Sequence, residues 1–553
     1  MLKKLLAVLL IASMMLVGFA FAEEAEVVEH QPVAIIYTND VHCDIDGNIG
    51  YAGLAAYKKA LADNGYVTEL VDIGDAVQGA AVGTISKGSY IIDIMNYVGY
   101  DVATIGNHEF DYGMGNFMDL ANNSARFDYV CCNFTDLNGN PLFEPYVIRE
   151  LGGWKVAFVG ISTPETFTKS TPTFFQDKNG NYIYSFNGGN NGQDLFDVVQ
   201  KNVDAAIADG AEIVVALAHL GTEFIAPDKP WTSSDVITNT TGIDIVLDGH
   251  SHSTIPGETV LNKDGEAVIL TSTGTQLDSV GVLTIDADEE GNPVFGTKLH
   301  DEALFQDEKT AGFVAAIISQ YDALLKKVVA HTDVDLIIND PTAVDDSGKP
   351  VRIIRTQETN LGDLCADGYR VVTGADIGVV NGGGIRATLP AGDITYEQII
   401  AVHPYGNKLC VVETTGQQIL DLLECSVSRL PAENGGFQHV SGLTFEINAN
   451  IPSPVIWDEN AEFAGVEGER RVQNVLVAGE PIDPEKTYTL ASHNYMLKDG
   501  GDGLNMFKGD KLLQDETMLD NQVLITYITE NLGGNVGADY AEPYGQGRIV
   551  FVD

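Results

Sequence analysis

Basic residues are scarce in this sequence. Its 553 residues include 31 Lys and Arg against 79 Asp and Glu, a formal net charge of −48. This shortage excludes a nucleic-acid polymer as partner, because gripping a phosphate backbone takes many Lys and Arg contacts. It also repels an anionic small molecule over most of the surface. An anionic substrate would therefore need local positive charge, and divalent metal ions are one source. Cysteine is sparse too: Cys43, Cys131, Cys132, Cys365, Cys410 and Cys425 show no regular spacing, so no disulfide framework is implied. Cys131 and Cys132 are neighbours in the strand-like "DYVCCNF". They should point to opposite faces and cannot chelate one metal together, so they read as core residues. A bond involving Cys410 or Cys425 stays open. Internal repeats and low-complexity tracts are absent.

What is present is ordinary globular composition, 44% hydrophobic and 20% charged, in a chain long enough for several domains. Residues 1–22 read as a cleaved signal peptide. Lys3 and Lys4 precede "LLAVLLIASMMLVGFAF", and Ala20-Phe21-Ala22 fits a small-x-small cleavage site. "EEAEVVEH" follows without a basic stop-transfer flank, and the C-terminal "YGQGRIVFVD" lacks an anchor tail. The expectation is an exported monomer, secreted, periplasmic or at the cell surface, without a membrane anchor.

Residues 31–305 alternate apolar strand-like runs with helical ones. The expected strands are "VAIIYTND", "TELVDIGD", "DVATIGNHE", "KVAFVGIST", "EIVVALAHL", "IDIVLDGH" and "AVILTSTG". Near-continuous apolar runs point to strands buried on both faces, as in a layered α/β sheet. "YAGLAAYKKALADNG" and "GQDLFDVVQKNVDAAIADG" read as amphipathic helices ended by glycine. Residues 306–330 form one helical pattern and are expected to be a long interdomain helix. Residues 331–553 then read as a second α/β domain.

Several strands of the first half end in side chains able to hold a metal: Asp40 and His42, Asp75, Asn107 and His108, His219, and His250 and His252. Ligands of open α/β sheets sit beyond the carboxyl ends of strands, so five strand ends should converge. Asp40, His42, Asp75, Asn107, His219, His250 and His252 are too many donors for one tetrahedral ion. They suit two divalent ions bridged by Asp75. Imidazole and carboxylate without thiolate point to Zn²⁺ or Mn²⁺, with Co²⁺ or Fe also compatible, rather than Ca²⁺. Paired metals activate a water and clamp both oxygens of an in-line displacement, chemistry suited to a phosphate ester or anhydride. His108 is left to face the substrate, with Asp111 three residues on to orient it. Glu109 reads as a solvent-facing residue or a backbone cap.

Asp-x-His, Gly-Asp, "GNHE", "AHLG" and "GHSH", in this order, resemble the calcineurin-like metallophosphoesterases. "RTQETNLGDL", "VVNGGGIRATLPAGDIT", "HPYGNKL", "GGFQHVSGL" and "KDGGDG" resemble the C-terminal domain of secreted 5′-nucleotidases. That family includes UDP-sugar hydrolases and 2′,3′-cyclic-nucleotide phosphodiesterase/3′-nucleotidases. The resemblance implies a two-domain protein: a layered α/β/β/α metallophosphoesterase sandwich (31–305) joined by the long helix to a smaller α/β substrate-binding domain. It implies one metal on Asp40, His42, Asp75 and His252, another on Asp75, Asn107, His219 and His250, and a catalytic dyad of His108 and Asp111. It further implies phosphate-side contacts from Arg355 and Arg386, base stacking by Tyr405, and nucleoside contacts from Asn407 and the backbone at Gly436. Asp502 would accept from the ribose hydroxyls. Chemistry agrees, since an aromatic face stacks on any base and arginine grips phosphate bidentately. One departure concerns the second base-clamping aromatic: its register falls on Met496, with Tyr495 one position earlier. The expected function is release of phosphate from nucleotides, with site assembly by closure about the linking helix. A non-catalytic nucleotide-binding or adhesion protein would be expected to have lost His108 or a ligand, and none is missing.

Overall fold

The computed structural model describes residues 30–177, 181–222, 229–302, 305–344 and 348–552. The expected signal peptide, residues 1–22, lies outside the described residues. Two six-stranded sheets build the first domain. One runs in the order 293–300, 280–287, 33–38, 67–72, 102–103, 128–129, and its last four strands are parallel. The other runs 254–261, 267–273, 245–248, 213–219, 154–162, 146–151, parallel in its four central strands.

The apolar runs explain the layering. Along Val33–Thr38, side chains alternate with period two. Val33, Ile35 and Tyr37 meet Phe158, Val215 and Leu247 of the other sheet. Ala34 and Ile36 turn outward against Leu54, Ile91 and Val314, which lie on helices Gly50–Asp63, Ser89–Val98 and Glu308–Ser319. The second sheet buries Val159, Val214 and Ala216 under Leu195 and Val199 of helix Gln193–Ala208. The result is the expected α/β/β/α sandwich. Cys131 and Cys132 enter these two different outer cores, facing opposite ways. All six cysteines are buried and free, so Cys410 and Cys425 are not bonded.

The linking segment differs from expectation. The helix that starts at Glu308 stops at Ser319, a short turn Asp322–Leu325 follows, and Val328–Thr332 is a strand. "VVAHT" is β-branched and extended by preference, and it pairs with Gly392–Thr395 and Asn535–Val536. The second domain therefore begins inside the segment read as one helix. Its main sheet runs 438–441, 377–381, 487–493, 409–415, 511–514. Helix Asn360–Thr373 covers one face through Leu361, Leu364 and Cys365, and helix Gly416–Ser426 covers the other through Ile419, Leu422 and Leu423.

The two domains touch around the sheet ends that carry the site. Thr84 Oγ1 donates to the Pro404 carbonyl at 2.7 Å. Ala81 packs against Leu325 and Ile400.

Candidate active site

Each metal-capable side chain sits where its strand stops. Asp40 and His42 follow the strand ending at Thr38, and Asp75 follows the one ending at Asp72. Asn107 and His108 follow Val102–Ala103, His219 closes its own strand, and His250 and His252 follow the strand ending at Asp248. Asp40, His42, Asp75, His250 and His252 all have φ between +48° and +80°. Left-handed backbone at non-glycine residues is costly and clusters at functional sites. Two glycines permit the approach of these loops. A Cβ on Gly106 would lie 2.2 Å from Asp75 Oδ1, and one on Gly74, whose φ is +89°, would lie 2.5 Å from the Gly106 nitrogen.

Six of the seven expected donors fall into two groups. Asp40, His42 and His252 form one group of ligand atoms within 4.8 Å of one another, and Asp75, His219 and His250 form another. His219 Nε2 is 3.1 Å from Asp75 Oδ2. The Nε2 atoms of His42 and His252 face each other at 3.1 Å. The opposite ring nitrogens are occupied: His42 Nδ1 bonds the Gln78 carbonyl at 3.0 Å and His219 Nδ1 the Ile73 carbonyl at 2.6 Å. Such bonds fix the tautomer and aim the free nitrogen. His250 instead gives Nε2 to Glu165 Oε2 at 3.0 Å, which leaves Nδ1. The buried Asn107 Oδ1 has no hydrogen-bond partner among the described residues, and His219 Nε2 has only the Asp75 carboxylate beside it. Buried polar atoms without a partner are rare. Here they fit donors aimed at cations.

Electrostatics point the same way. Burial, with the nearby Asp75 charge, pushes Asp40 up to about 7. Glu109 rises to about 7 from the same two causes. A cation between these carboxylates would relieve both. Of the two readings of Glu109, the backbone cap is the one observed. It is buried and accepts from the N–H groups of Asp75, Ala76 and Gly106 at 2.9, 2.9 and 2.7 Å.

His108 opens a 3₁₀ turn over His108–Phe110. Its Nδ1 is 2.6 Å from Asp111 Oδ2, and its own N–H donates to Asp75 Oδ1 at 2.8 Å. Burial lowers the imidazole pKa, but the Asp111 and Asp75 carboxylates outweigh it and hold it above its usual value. Ser170 Oγ donates to Asp111 Oδ1 at 3.0 Å.

A cavity of about 170 Å³ separates the metal groups from the second domain. Arg355, Arg386, Tyr405, Asn407, Tyr495 and Asp502 all line it, as expected. The His108 and Tyr405 ring centroids are 5.6 Å apart, and the Arg386 guanidinium is 5.9 Å from the Tyr405 centroid. Burial lowers the Arg355 pKa to about 9, and the adjacent Arg352 and Arg386 charges add to it. A crowded cationic wall is what an anion would stabilise. Tyr495 faces the cavity while Met496 is fully buried in the core. Gly501 makes room for Tyr495, since a Cβ there would lie 2.3 Å from its ring. One expectation needs correction. Gly435 lines the cavity, whereas Gly436 stands behind it with its N–H committed to Asn434 Oδ1 at 3.0 Å. The turn "ENGGF" presents its first glycine, not its second.

Sequence reasoning missed several contributors: Arg352, Asn381, Arg429 and Glu433 from the second domain, and Lys169 from the first. Asn381 lies inside the "VVNGGGIR" run and could have been found there. Glu165, Lys169 and Ser170 sit in "TPETFTKS", whose one signal is its place after the carboxyl end of strand Trp154–Ser162.

Two family models match the chain: "Calcineurin-like phosphoesterase" over residues 33–254 and "5'-nucleotidase, C-terminal domain" over residues 328–509. The chain is 28% identical to the trifunctional nucleotide phosphoesterase YfkN of Bacillus subtilis over 94% of its length, and spans 35% of the length of that relative. It is 26% identical to a snake venom 5'-nucleotidase of Gloydius brevicauda, covering 94% of this chain and 88% of that protein. Among solved structures, a 5'-nucleotidase precursor from Thermus thermophilus superposes with a TM-score of 0.76 at 25% identity, over 94% of this chain and 99% of the other. The order of the matched segments, the fold of each and the residues brought together between them agree: the chain belongs to the two-domain 5'-nucleotidase family, a calcineurin-like phosphoesterase domain followed by a 5'-nucleotidase C-terminal domain.

Proposed function

We propose that this protein is an exported, metal-dependent phosphohydrolase that releases phosphate from nucleoside 5′-monophosphates. One observation carries the reading. Two three-donor groups and the His108–Asp111 pair face Arg355, Arg386 and Tyr405 across a single cavity. Asp40, His42, Asp75 and His252 would hold one divalent ion, and Asp75, Asn107, His219 and His250 the other, with Zn²⁺ or Mn²⁺ the best match to these donors. When bound, two such ions supply a water nucleophile at neutral pH and charge for in-line displacement at phosphorus.

The remaining work falls to the chain's own groups. Arg355 and Arg386 bind the non-bridging phosphate oxygens. His108, kept charged by Asp111, stabilises the phosphoryl oxygens or hands a proton to the departing 5′ oxygen. Tyr405 and Tyr495 present faces for the base, and Asp502 accepts from the ribose hydroxyls. Lys3, Lys4 and the apolar run after them support export. Among the described residues no helix is long and apolar enough to cross a membrane.

A second reading has its own observation. Arg352 and Arg429 extend the cationic wall beyond the two expected arginines. That extension favours a substrate with a further phosphate, such as a UDP-sugar. Product analysis with AMP, 3′-AMP, 2′,3′-cyclic AMP and UDP-glucose, reading both phosphate and the phosphomonoesters formed by the metal-reconstituted protein, separates the two readings. The first stands if AMP has the highest kcat/KM. It falls if AMP is inert.

A further inference from the structure

One short segment reaches the site at four points. "ETFTKS", residues 165–170, follows the strand Trp154–Ser162, and Thr166–Lys169 make a single helical turn. Two of its contacts stay within the first domain. Glu165 holds His250, and Ser170 holds Asp111 at 3.0 Å. The other two cross to the second domain. The Thr168 carbonyl accepts from the Tyr495 hydroxyl at 2.8 Å, and Lys169 Nζ donates to Asp502 Oδ1 at 2.8 Å.

The crossing contacts form a unit. Tyr495 hydroxyl, while donating to Thr168, accepts the Asp502 N–H at 3.0 Å. Asp502 has φ +54°, a conformation that needs such support. Its second oxygen accepts from Asn381 Nδ2 at 2.9 Å. Each carboxylate oxygen therefore has one donor fixed in the protein and retains a lone pair. Lys169 has three N–H bonds and uses one on Asp502, and both side chains line the cavity. A vicinal diol would donate to the carboxylate and accept from the ammonium. A sugar lacking one hydroxyl would leave part of that arrangement unmatched.

We propose that Lys169 is a specificity-determining residue for the ribose diol, and that residues 165–170 couple capture of the nucleoside in the second domain to the placement of Asp111 in the first. Lys169 completes the diol acceptor from the opposite domain, so the acceptor exists only when the domains face each other. Ser170, the next residue, sets the orientation of the carboxylate behind His108. The inference rests on the nucleotidase reading above.

The test compares kcat and KM for AMP, 2′-deoxy-AMP and p-nitrophenyl phosphate in the full-length, metal-loaded wild type and in Lys169→Met and Lys169→Arg. Expected is a fall of about tenfold in the ratio of kcat/KM for AMP over p-nitrophenyl phosphate in the Met variant, the scale of losing one charge-assisted hydrogen bond from a half-buried pair. The preference for AMP over 2′-deoxy-AMP should shrink alongside it, and Arg should restore most of both. Equal losses on all three substrates would mark a merely structural ion pair and overturn the proposal, as would unchanged ratios. A wild type that hydrolyses p-nitrophenyl phosphate but neither nucleotide overturns the nucleotidase reading itself, and this inference with it. If Lys169→Met does not fold, Lys169→Gln makes the same comparison.

Discussion

His108 Nδ1 lies 2.6 Å from Asp111 Oδ2, and no other acceptor bonds that nitrogen among the described residues. The pair is half-buried, and the Asp111 carboxylate receives Ser170 on its far oxygen. His108→Ala removes a cationic donor that faces the cavity but belongs to neither group of metal donors. Turnover should fall by about 10²- to 10³-fold, the usual scale for a positioned acid or electrostatic donor. Metal content, read by elemental analysis, should stay at the wild-type level. Full turnover in the variant would remove His108 from the reaction.

Metal removal should abolish activity and be reversed by Zn²⁺ or Mn²⁺. The two donor groups lead to an expected content of two ions per chain. Asp75→Ala deletes the carboxylate next to His219 that both ions would share, and should lower that content because each site loses a ligand. Elemental analysis after dialysis checks it. A single ion in saturated wild type would contradict the paired arrangement.

Gly106→Ala probes the same centre through the backbone. The added Cβ would overlap Asp75 Oδ1, a proposed metal donor, at 2.2 Å and the Asp75 backbone nitrogen at 2.7 Å, so either that carboxylate or the backbone must shift. Metal affinity should drop markedly while helix content, followed by circular dichroism, is retained. Unchanged affinity would show that the loop after Asp72 relaxes freely.

Tyr495→Ala should raise KM for AMP more than it lowers kcat. Loss of one base-stacking face costs about 1–3 kcal/mol. Tyr495→Phe keeps the face but loses the bonds to Thr168 and Asp502, so its KM should lie between those of wild type and Ala. Steady-state kinetics with AMP decide the order. Equal KM values in all three proteins would place the base elsewhere.

Far from the cavity, Asp363 gives stability a pH dependence. Burial, with Glu358 beside it, raises its carboxyl from 3.8 to about 9 against the pull of Arg548. Folding therefore takes up a proton. The stabilising contribution is complete below the unfolded value near 3.8 and is lost as pH rises through about 9. Over that window wild type should lose stability relative to Asp363→Asn by at most about 1.4 kcal/mol per pH unit. Urea midpoints of both proteins from about pH 6 to 9.5 measure the difference, and parallel curves would refute it.

Much of the first domain was legible because its strands are long apolar runs that end in polar side chains of unusual type. The expected convergence of Asp40, His42, Asp75, Asn107, His219, His250 and His252 follows from one rule about strand ends, and the structure draws six of them into two groups with Asn107 at the cavity they border. The linking segment was misread. A helical period through residues 306–330 hid a β-branched stretch whose partners, Gly392–Thr395 and Asn535–Val536, are remote in sequence. Pairing over such separations leaves no local trace. Lys169 was missed for a related reason, since neither residue type nor spacing announces a contact that exists only across a domain boundary. Glu109 and Gly436 show the limit at the scale of one residue, where the direction of a turn decides which neighbour faces inward.

Glu109 also bears on how the centre is assembled. One carboxylate stitches together the amides of Asp75, Ala76 and Gly106, so the two central ligand loops are locked to each other by a bond that involves no ligand atom. Their conformational entropy is lost at folding rather than at ion uptake. Chelation should thus empty the centre without loosening it, and an incoming ion finds a preformed seat and spends little of its binding energy on ordering the chain.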